Sequence, residues 1–186
     1  MPSLPVLPQG LREVSAGIFY AAPGASDLLL ADRQIVAFLK SQAAQSPTRR
    51  ARLCAHPDPQ SDQHDMLIAS HHDTYVAPHR HLRKSESFMV IEGIADILLF
   101  DEAGTLTDLF RMGPASSAYP FFYRMPPRRF HALSIESEVL VFLESTKGPF
   151  DPGQSEYARW APPPGEDNAG RAYIAELCRR RKAASA

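Results

Sequence analysis

The chain has 186 residues, a formal net charge of −1, 44% apolar residues and 22% charged residues. This length supports one domain with a substantial core, and the balanced charge does not favour a nucleic-acid partner. No segment approaches the roughly 20 apolar residues of a membrane span, and the opening MPSLPVLPQGLREV lacks the basic start and apolar run of a secretory signal.

Cysteine usage indicates the expected redox environment. Cys54 and Cys178 lie far apart in the chain and match no zinc-binding or redox spacing. We therefore expect two buried, unbridged thiols and a reducing, cytoplasmic location, without a membrane partner.

The first part of the chain predicts an arm followed by one helix. Residues 1–31 contain several prolines and glycines, and only the stretch AGIFY has the composition of a strand. The helix is predicted from Asp32 to Gln45, because it starts with an N-capping aspartate and carries apolar residues on one face. Ser46-Pro47 ends it, since proline disfavours helical geometry in the residue before it.

The middle of the chain predicts an all-β domain. Seventeen prolines already favour strands and loops over helices. Eight short apolar runs separated by turn residues follow between residues 65 and 145: MLIAS, TYVAPHRH, SFMVIEG, ADILLFD, TLTDLFRM, AYPFFYRM, FHALSI and EVLVFLES. Such a series is typical of a barrel or a double-sheet jelly roll. An amphipathic helix, AGRAYIAELCRRRKA, closes the chain.

Two histidines in one of these strands predict a metal site. His79 and His81 are two residues apart, so their side chains share a face of the strand, with Cα atoms about 6.6 Å apart. Glu86 follows after a short turn, and His131 begins a later apolar strand. Three imidazoles and one carboxylate suit a divalent transition metal and leave coordination positions for water or substrate. A polar surface strand is the alternative interpretation, because seven histidines make chance pairs common.

The spacing of these residues resembles the two signature motifs of the cupin superfamily. The first motif matches at every defining position from His79 to Gly93, and the second matches at Pro126 and His131. Arg128 stands where the second motif has glycine, so we expect this departure to affect the turn more than the ligands. The resemblance implies a cupin double-stranded β-helix, a jelly-roll barrel, with the flanking helices outside it.

Longer stretches resemble the WbuC-type family of cupin-fold metalloproteins. They are SPTRRARLCAHPDP, MLIASHHDTYVAPHRHLRKSESFMVIEG, LLFDEAG, ESTKGPFDP and ARWAP. The resemblance covers roughly residues 32–162. It implies one metal ion inside the barrel (Fe, Mn, Ni or Zn), held by His79, His81, Glu86 and His131. The predicted organisation is an arm (1–31), a cupin metal-binding domain (32–150) and a C-terminal loop and helix packed on the barrel (151–186).

Five further residues are candidates for binding a substrate. Basic residues crowd both motifs, so Lys84 and Arg128 would favour a small anionic molecule, unless they form only a solvated rim. Tyr123 is a candidate contact for a substrate hydroxyl. The WbuC resemblance adds Arg52 and His56.

Three functions stay open from the sequence. The leading one is a metal-dependent enzyme, isomerase- or epimerase-like, acting on a small anionic polar molecule; the WbuC resemblance favours a sugar or nucleotide sugar. The second is an Fe(II)-dependent dioxygenase, because the same ligands leave positions for oxygen and a chelating substrate. The third is a non-catalytic cupin that binds or senses a small molecule. An arm able to add a strand to a neighbour's sheet predicts a homodimer.

Overall fold

A computed structural model describes residues 7–22 and 28–184. The first half contains β1 (Leu11–Ser15), β2 (Ile18–Ala21), α1 (Arg33–Gln45), β3 (Arg50–Cys54), β4 (Gln63–His71), β5 (His79–His81) and β6 (Glu86–Glu92). The second half contains β7 (Ala95–Phe100), β8 (Leu106–Met112), β9 (Phe122–Met125), β10 (Phe130–Ile135), β11 (Val139–Lys147), a short 3-10 helix (Pro152–Gln154), β12 (Ser155–Tyr157) and α2 (Asp167–Ala184).

Eight of these strands, β4 to β11, form a jelly roll. One sheet has seven strands in the order β1-β2-β3-β4-β11-β6-β9, and the other has five in the order β12-β5-β10-β7-β8. Within them, β4, β6, β9 and β11 belong to the seven-stranded sheet and β5, β7, β8 and β10 to the five-stranded one, so the chain passes from one sheet to the other at every step except the β7–β8 hairpin. The fold is therefore a cupin double-stranded β-helix, as predicted.

The strands alternate between two apolar layers. Met66, Ile68 and Phe142 face the interior between the sheets. Their neighbours in sequence, such as Leu67 and Val141, face outward and pack against α1. This period of two follows from the pleat of a strand, and it separates the residues that line the interior from those that bind the helix.

The two helices cover opposite outer faces of the barrel. Helix α1 begins at the predicted cap, where the Asp32 carboxylate accepts hydrogen bonds from the backbone N–H groups of Gln34 and Ile35. It packs on the seven-stranded sheet. Helix α2 packs with Trp160 on the outside of the five-stranded sheet through Ile174 and Cys178. Both cysteines are buried and unbridged, as predicted.

The structure corrects the extent of several predicted strands. TYVAPHRH is a strand only at His79–His81, and AYPFFYRM only at Phe122–Met125. The arm contains β1 in addition to the predicted AGIFY strand; its residues 1–6 and 23–27 lie outside the described residues. Strands β3 and β12 were not predicted, because each has a charged or polar residue at several positions and lacks a long apolar run. Across 7–22 and 28–184, no helix combines the length and apolar character needed to cross a membrane.

Candidate metal centre

Four predicted residues meet between the two sheets and form what we call the ligand group. They are His79, His81, Glu86 and His131. His79 on β5 pairs directly with His131 on β10, both in the five-stranded sheet. Glu86 is the first residue of β6 in the opposite sheet, so its carboxylate completes the group from across the interior.

The four side chains are close enough to share one ion. One potential ligand atom from each residue lies within 4.8 Å of the others. Glu86 Oε2 is 3.1 Å from His81 Nε2 and 3.8 Å from His131 Nε2. Metal–ligand bonds of about 2.1 Å would place ligands on opposite sides of an ion about 4.2 Å apart, so only a small contraction is needed.

Hydrogen bonds orient the three imidazoles toward the same point. In His79 and His131, Nδ1 lies 3.0 and 2.9 Å from the carbonyl oxygen two residues earlier, which can only accept. His81 Nδ1 lies 3.1 Å from the Ser155 hydroxyl oxygen. With Nδ1 engaged, Nε2 of each ring is available to a metal, which is the arrangement found around metal-binding histidines.

Burial and charge place two of the ligands, His79 and Glu86, in the ionisation states that bind metals. Burial, with His131 adding to it, lowers the pKa of His79 to about 3. Burial alone would raise the pKa of Glu86, but His131 and His81 hold it well below its usual range. Burial also acts to lower the pKa of His131, and the Glu86 charge outweighs this and raises it. At neutral pH, His79 is therefore a neutral donor and Glu86 an ionised one.

A further observation tests whether the group fits a metal. His131 Nε2 is buried and has no hydrogen-bond partner among the described residues, since 3.8 Å to Glu86 is too long for a hydrogen bond. A buried nitrogen without a partner is costly in an interior. A metal ion would satisfy it, so the four residues fit a divalent transition ion.

The turn before His131 keeps the geometry of the motif despite its missing glycine. Arg128 adopts φ of 66°, the left-handed conformation that glycine adopts most readily. Its backbone N–H donates to the His81 carbonyl oxygen over 2.6 Å. The turn is thereby tied to β5, and the substitution leaves the ligand group assembled.

The ligand group opens into a cavity of about 760 Å³ inside the barrel. Its polar lining includes four cationic residues, Arg12, Arg50, Arg52 and Lys84, and two carboxyl groups, Glu86 and Glu144. Apolar residues such as Ile18, Tyr20 and Phe142 line the same space. The size and the mixture of polar and apolar groups suit a small polar ligand.

Four of the five predicted substrate-side residues line this cavity. They are Arg52, His56, Lys84 and Tyr123. Tyr123 donates its hydroxyl proton to Glu86 Oε1 over 2.8 Å, so it contacts the ligand group directly. His56 is buried and stacks on His64, with ring centroids 4.0 Å apart. Arg128 is exposed and does not belong to the described lining.

Several lining residues were missed from the sequence. Glu144 lies at an interior position of the predicted strand EVLVFLES, so the alternation of that strand was a usable signal. Arg50 lies on β3, which was not predicted from the sequence. Arg12 carried no comparable signal, because its position depends on β1 joining the sheet. Tyr157 was not a candidate either, because only the pairing of β12 with β5 brings it beside His79 at the cavity.

Comparisons with known families found one match over part of the chain. A family model described as a domain of unknown function (DUF6016) matches residues 31–112, which include three of the four ligands and end before His131. No match was found among curated proteins.

Several solved structures are similar to the chain at low identity. L-ribose isomerase of Cellulomonas parahominis is 17% identical with a TM-score of 0.48, over 66% of this chain and 72% of that chain. Oxalate decarboxylase of Bacillus subtilis is 16% identical with a TM-score of 0.45, over 58% and 27%. Procruciferin, an 11S globulin of Brassica napus, is 11% identical with a TM-score of 0.40, over 47% and 21%. The chain thus spans about a quarter of the length of the oxalate decarboxylase.

Proposed function

We propose that the protein is a metal-dependent enzyme that isomerises or epimerises a small anionic sugar or nucleotide sugar. The observation that carries this proposal is the buried three-histidine, one-carboxylate group facing a cavity with arginine side chains on its wall. A divalent ion held by the four residues would supply Lewis-acid chemistry, polarising a substrate carbonyl and acidifying the neighbouring C–H bond.

Glu144 is suited to move the proton in such a reaction. It lies on β11 two residues from Thr146, which pairs with Glu86, so its Cα is about 7 Å further along the strand. Burial and the neighbouring Glu86 raise the pKa of the Glu144 carboxyl. No carboxylate–cation pair within 4.0 Å involves Glu144 among the described residues. A carboxyl oxygen of Glu144 would take the proton from one substrate carbon and return it to another.

Tyr123 would hold the carboxylate of Glu86 in place. Its hydroxyl bonds one carboxylate oxygen and leaves the other, Oε2, facing the histidines. Burial and Glu86 both raise the pKa of Tyr123 well above its usual value, so its hydroxyl remains a proton donor.

The proposal extends to the family, the assembly and the location of the protein. We propose membership of the WbuC-type cupins, supported by the stretches quoted above, with Fe, Mn, Ni or Zn as the ion. A homodimer is supported by β1, which is the last strand at one edge of its sheet. Two buried unbridged thiols support a reducing cytoplasmic location.

Elemental analysis and turnover together test this function. Protein purified without an affinity tag should hold about one equivalent of metal, and His79→Ala should lose it. The wild type, loaded with each candidate ion, is then incubated with anionic sugars while sugar isomers and oxygen uptake are measured. Glu144→Gln should keep the metal and lose at least about 100-fold in rate, as expected when a general acid–base is removed.

Each outcome of this experiment has one meaning. Isomer formation without oxygen uptake supports the proposal. Metal-dependent oxygen uptake would replace it with a dioxygenase. Tight binding of a sugar that stays unchanged after long incubation would replace it with a binding or sensing protein. Activity retained in metal-free His79→Ala would refute the proposal of a metal-dependent enzyme.

A further inference from the structure

Two arginines lie side by side on one strand inside the barrel. Arg50 and Arg52 are two residues apart on β3, so both side chains share the face that lines the cavity. Arg12 on β1 lines the same region, and its guanidinium lies over the ring of Tyr20, 5.4 Å from the centroid. We call Arg50 and Arg52 the arginine pair.

Within the described part of the chain these arginines form no ion pair, although the Glu144 and Glu86 carboxylates lie close enough to act on Arg50 electrostatically. Among the described residues, no carboxylate lies within 4.0 Å of Arg12, Arg50 or Arg52. The Nε atoms of Arg50 and Arg12 are buried and have no hydrogen-bond partner there. Two half-buried guanidinium groups side by side with no carboxylate in contact are unfavourable, so an anionic ligand would stabilise the pair.

The arginine pair is separated from the ligand group along the sheet. Arg52 pairs with Ile68, which pairs with Phe142, whereas Glu86 pairs with Thr146. Phe142 and Thr146 are four residues apart on β11, or about 13 Å along the strand. One bound molecule would therefore present different groups to the arginine pair and to the metal.

We propose that Arg50 and Arg52, assisted by Arg12, form a subsite for a phosphate group, and that the substrate is a small phosphorylated sugar held with its phosphate away from the metal. A phosphomonoester carries nearly two charges and three acceptor oxygens at neutral pH, which matches two adjacent guanidinium forks. A carboxylate has one charge and two oxygens, so one arginine would suffice for it. That the bound sugar is a substrate rests on the proposed function, but the phosphate subsite itself does not require a metal.

Calorimetric titration of the metal-free protein tests the subsite directly. Ribose 5-phosphate is the phosphomonoester, ribose is the neutral control, ribonate is the carboxylate control and inorganic phosphate represents the isolated anion. Arg50→Gln and Arg52→Gln remove the pair one charge at a time. Arg83→Gln is the matched control, because Arg83 is exposed and outside the described cavity lining.

The expected result has several parts. Ribose 5-phosphate binds and ribose does not, and each variant of the pair weakens binding at least tenfold, while Arg83→Gln changes it by less than twofold. Ligand-free Arg52→Gln should unfold cooperatively, like the wild type, because Arg52 makes no ion pair within 4.0 Å among the described residues. This separates lost binding from lost folding. Arg52→Lys keeps the charge but not the fork and should bind with intermediate affinity.

Other results would overturn the subsite. Equal binding by the wild type and both glutamine variants would show that the arginines do not hold the anion. Binding that appears only with metal, or that is lost in His79→Ala, would place the phosphate on the metal. Ribonate binding as tightly as ribose 5-phosphate would refute the preference for phosphate. A metal-loaded protein that binds ribose 5-phosphate through the pair but turns over no sugar would refute only the proposed enzyme.

Discussion

Arg128 shows how a single backbone position can keep a motif functional after its usual residue is lost. A non-glycine residue in the left-handed region costs about 1 kcal/mol or more. The Arg128 side chain is exposed, while its backbone N–H bonds β5. The turn before His131 therefore depends on the backbone conformation of Arg128 and not on its side chain.

Replacing Arg128 should reveal that cost. Arg128→Gly relieves the strain but adds entropy to the unfolded chain, whereas Arg128→Ala keeps the strain and removes the same side chain. We expect the glycine variant to be more stable than the alanine variant by a few tenths to about 1 kcal/mol. Urea unfolding of the metal-free proteins measures the difference. An alanine variant at least as stable as the glycine variant would argue against strain.

Ser155 affects the metal through one imidazole. Its hydroxyl oxygen lies 3.1 Å from His81 Nδ1 and orients the ring so that Nε2 faces Glu86 in the ligand group. Loss of such a contact around a ligating histidine lowers metal affinity by about 10- to 100-fold. We expect Ser155→Ala to show this loss in a competition titration with a chelator. Ser134 lies on the same strand as His131, but its hydroxyl donates to the exposed Glu136. Ser134→Ala should therefore bind metal like the wild type.

At the scale of elements, Gly93 allows the turn between β6 and β7. Its φ is 89°, and a Cβ placed there would lie 2.5 Å from both Ser137 Oγ and the Val139 carbonyl oxygen. The first motif therefore ends in glycine for two separate reasons, backbone conformation and close approach of β11. This explains why the motif includes a residue that cannot bind a metal.

The two reasons can be separated by a matched pair of variants. Gly165 has φ of 95°, and a Cβ at this position would have no atom within 4 Å, so Gly165→Ala meets strain alone. We expect it to cost about 1 kcal/mol, because the lower entropy of the unfolded chain offsets part of the strain, and Gly93→Ala to cost roughly 2 kcal/mol or more because overpacking adds to the strain. Thermal and urea unfolding compare them. Equal costs would mean that β11 moves aside.

At the scale of the whole molecule, the ligand group joins the two sheets. Three ligands lie on or next to the five-stranded sheet and Glu86 lies on the seven-stranded one. An ion bound by all four would bridge the sheets and bind only the folded protein. Metal binding and folding are therefore linked.

Removing the metal should lower the stability of the entire domain. With free metal 100-fold above its dissociation constant, the free energy of unfolding should rise by about 2.7 kcal/mol over the chelated protein. Urea unfolding with and without chelator measures this change. The unfolding midpoint of His79→Ala should not respond to metal. A wild-type midpoint that also stays constant while metal content falls would contradict the bridging role.

Local regularities of the chain determined much of this structure. The alternation of apolar residues predicted the eight strands of the jelly roll, because each strand buries one of its faces. The Asp32 cap and the apolar face after it predicted α1 for the same local reason. The His-x-His spacing places two imidazoles on one face of any strand, so those two ligands could be recognised without the fold.

The remaining features depended on contacts between distant segments. Arg12 reaches the cavity only because β1 pairs with β2, which pairs with β3. Tyr157 comes beside His79 through β12, and Glu144 comes near Glu86 because β11 pairs with β6. Propensity and spacing describe neighbours along the chain, whereas these residues become neighbours only when hydrogen bonds set the order of the strands. The sequence therefore determined the barrel and the nature of its ligands, and the tertiary structure decided which charges share the cavity with them.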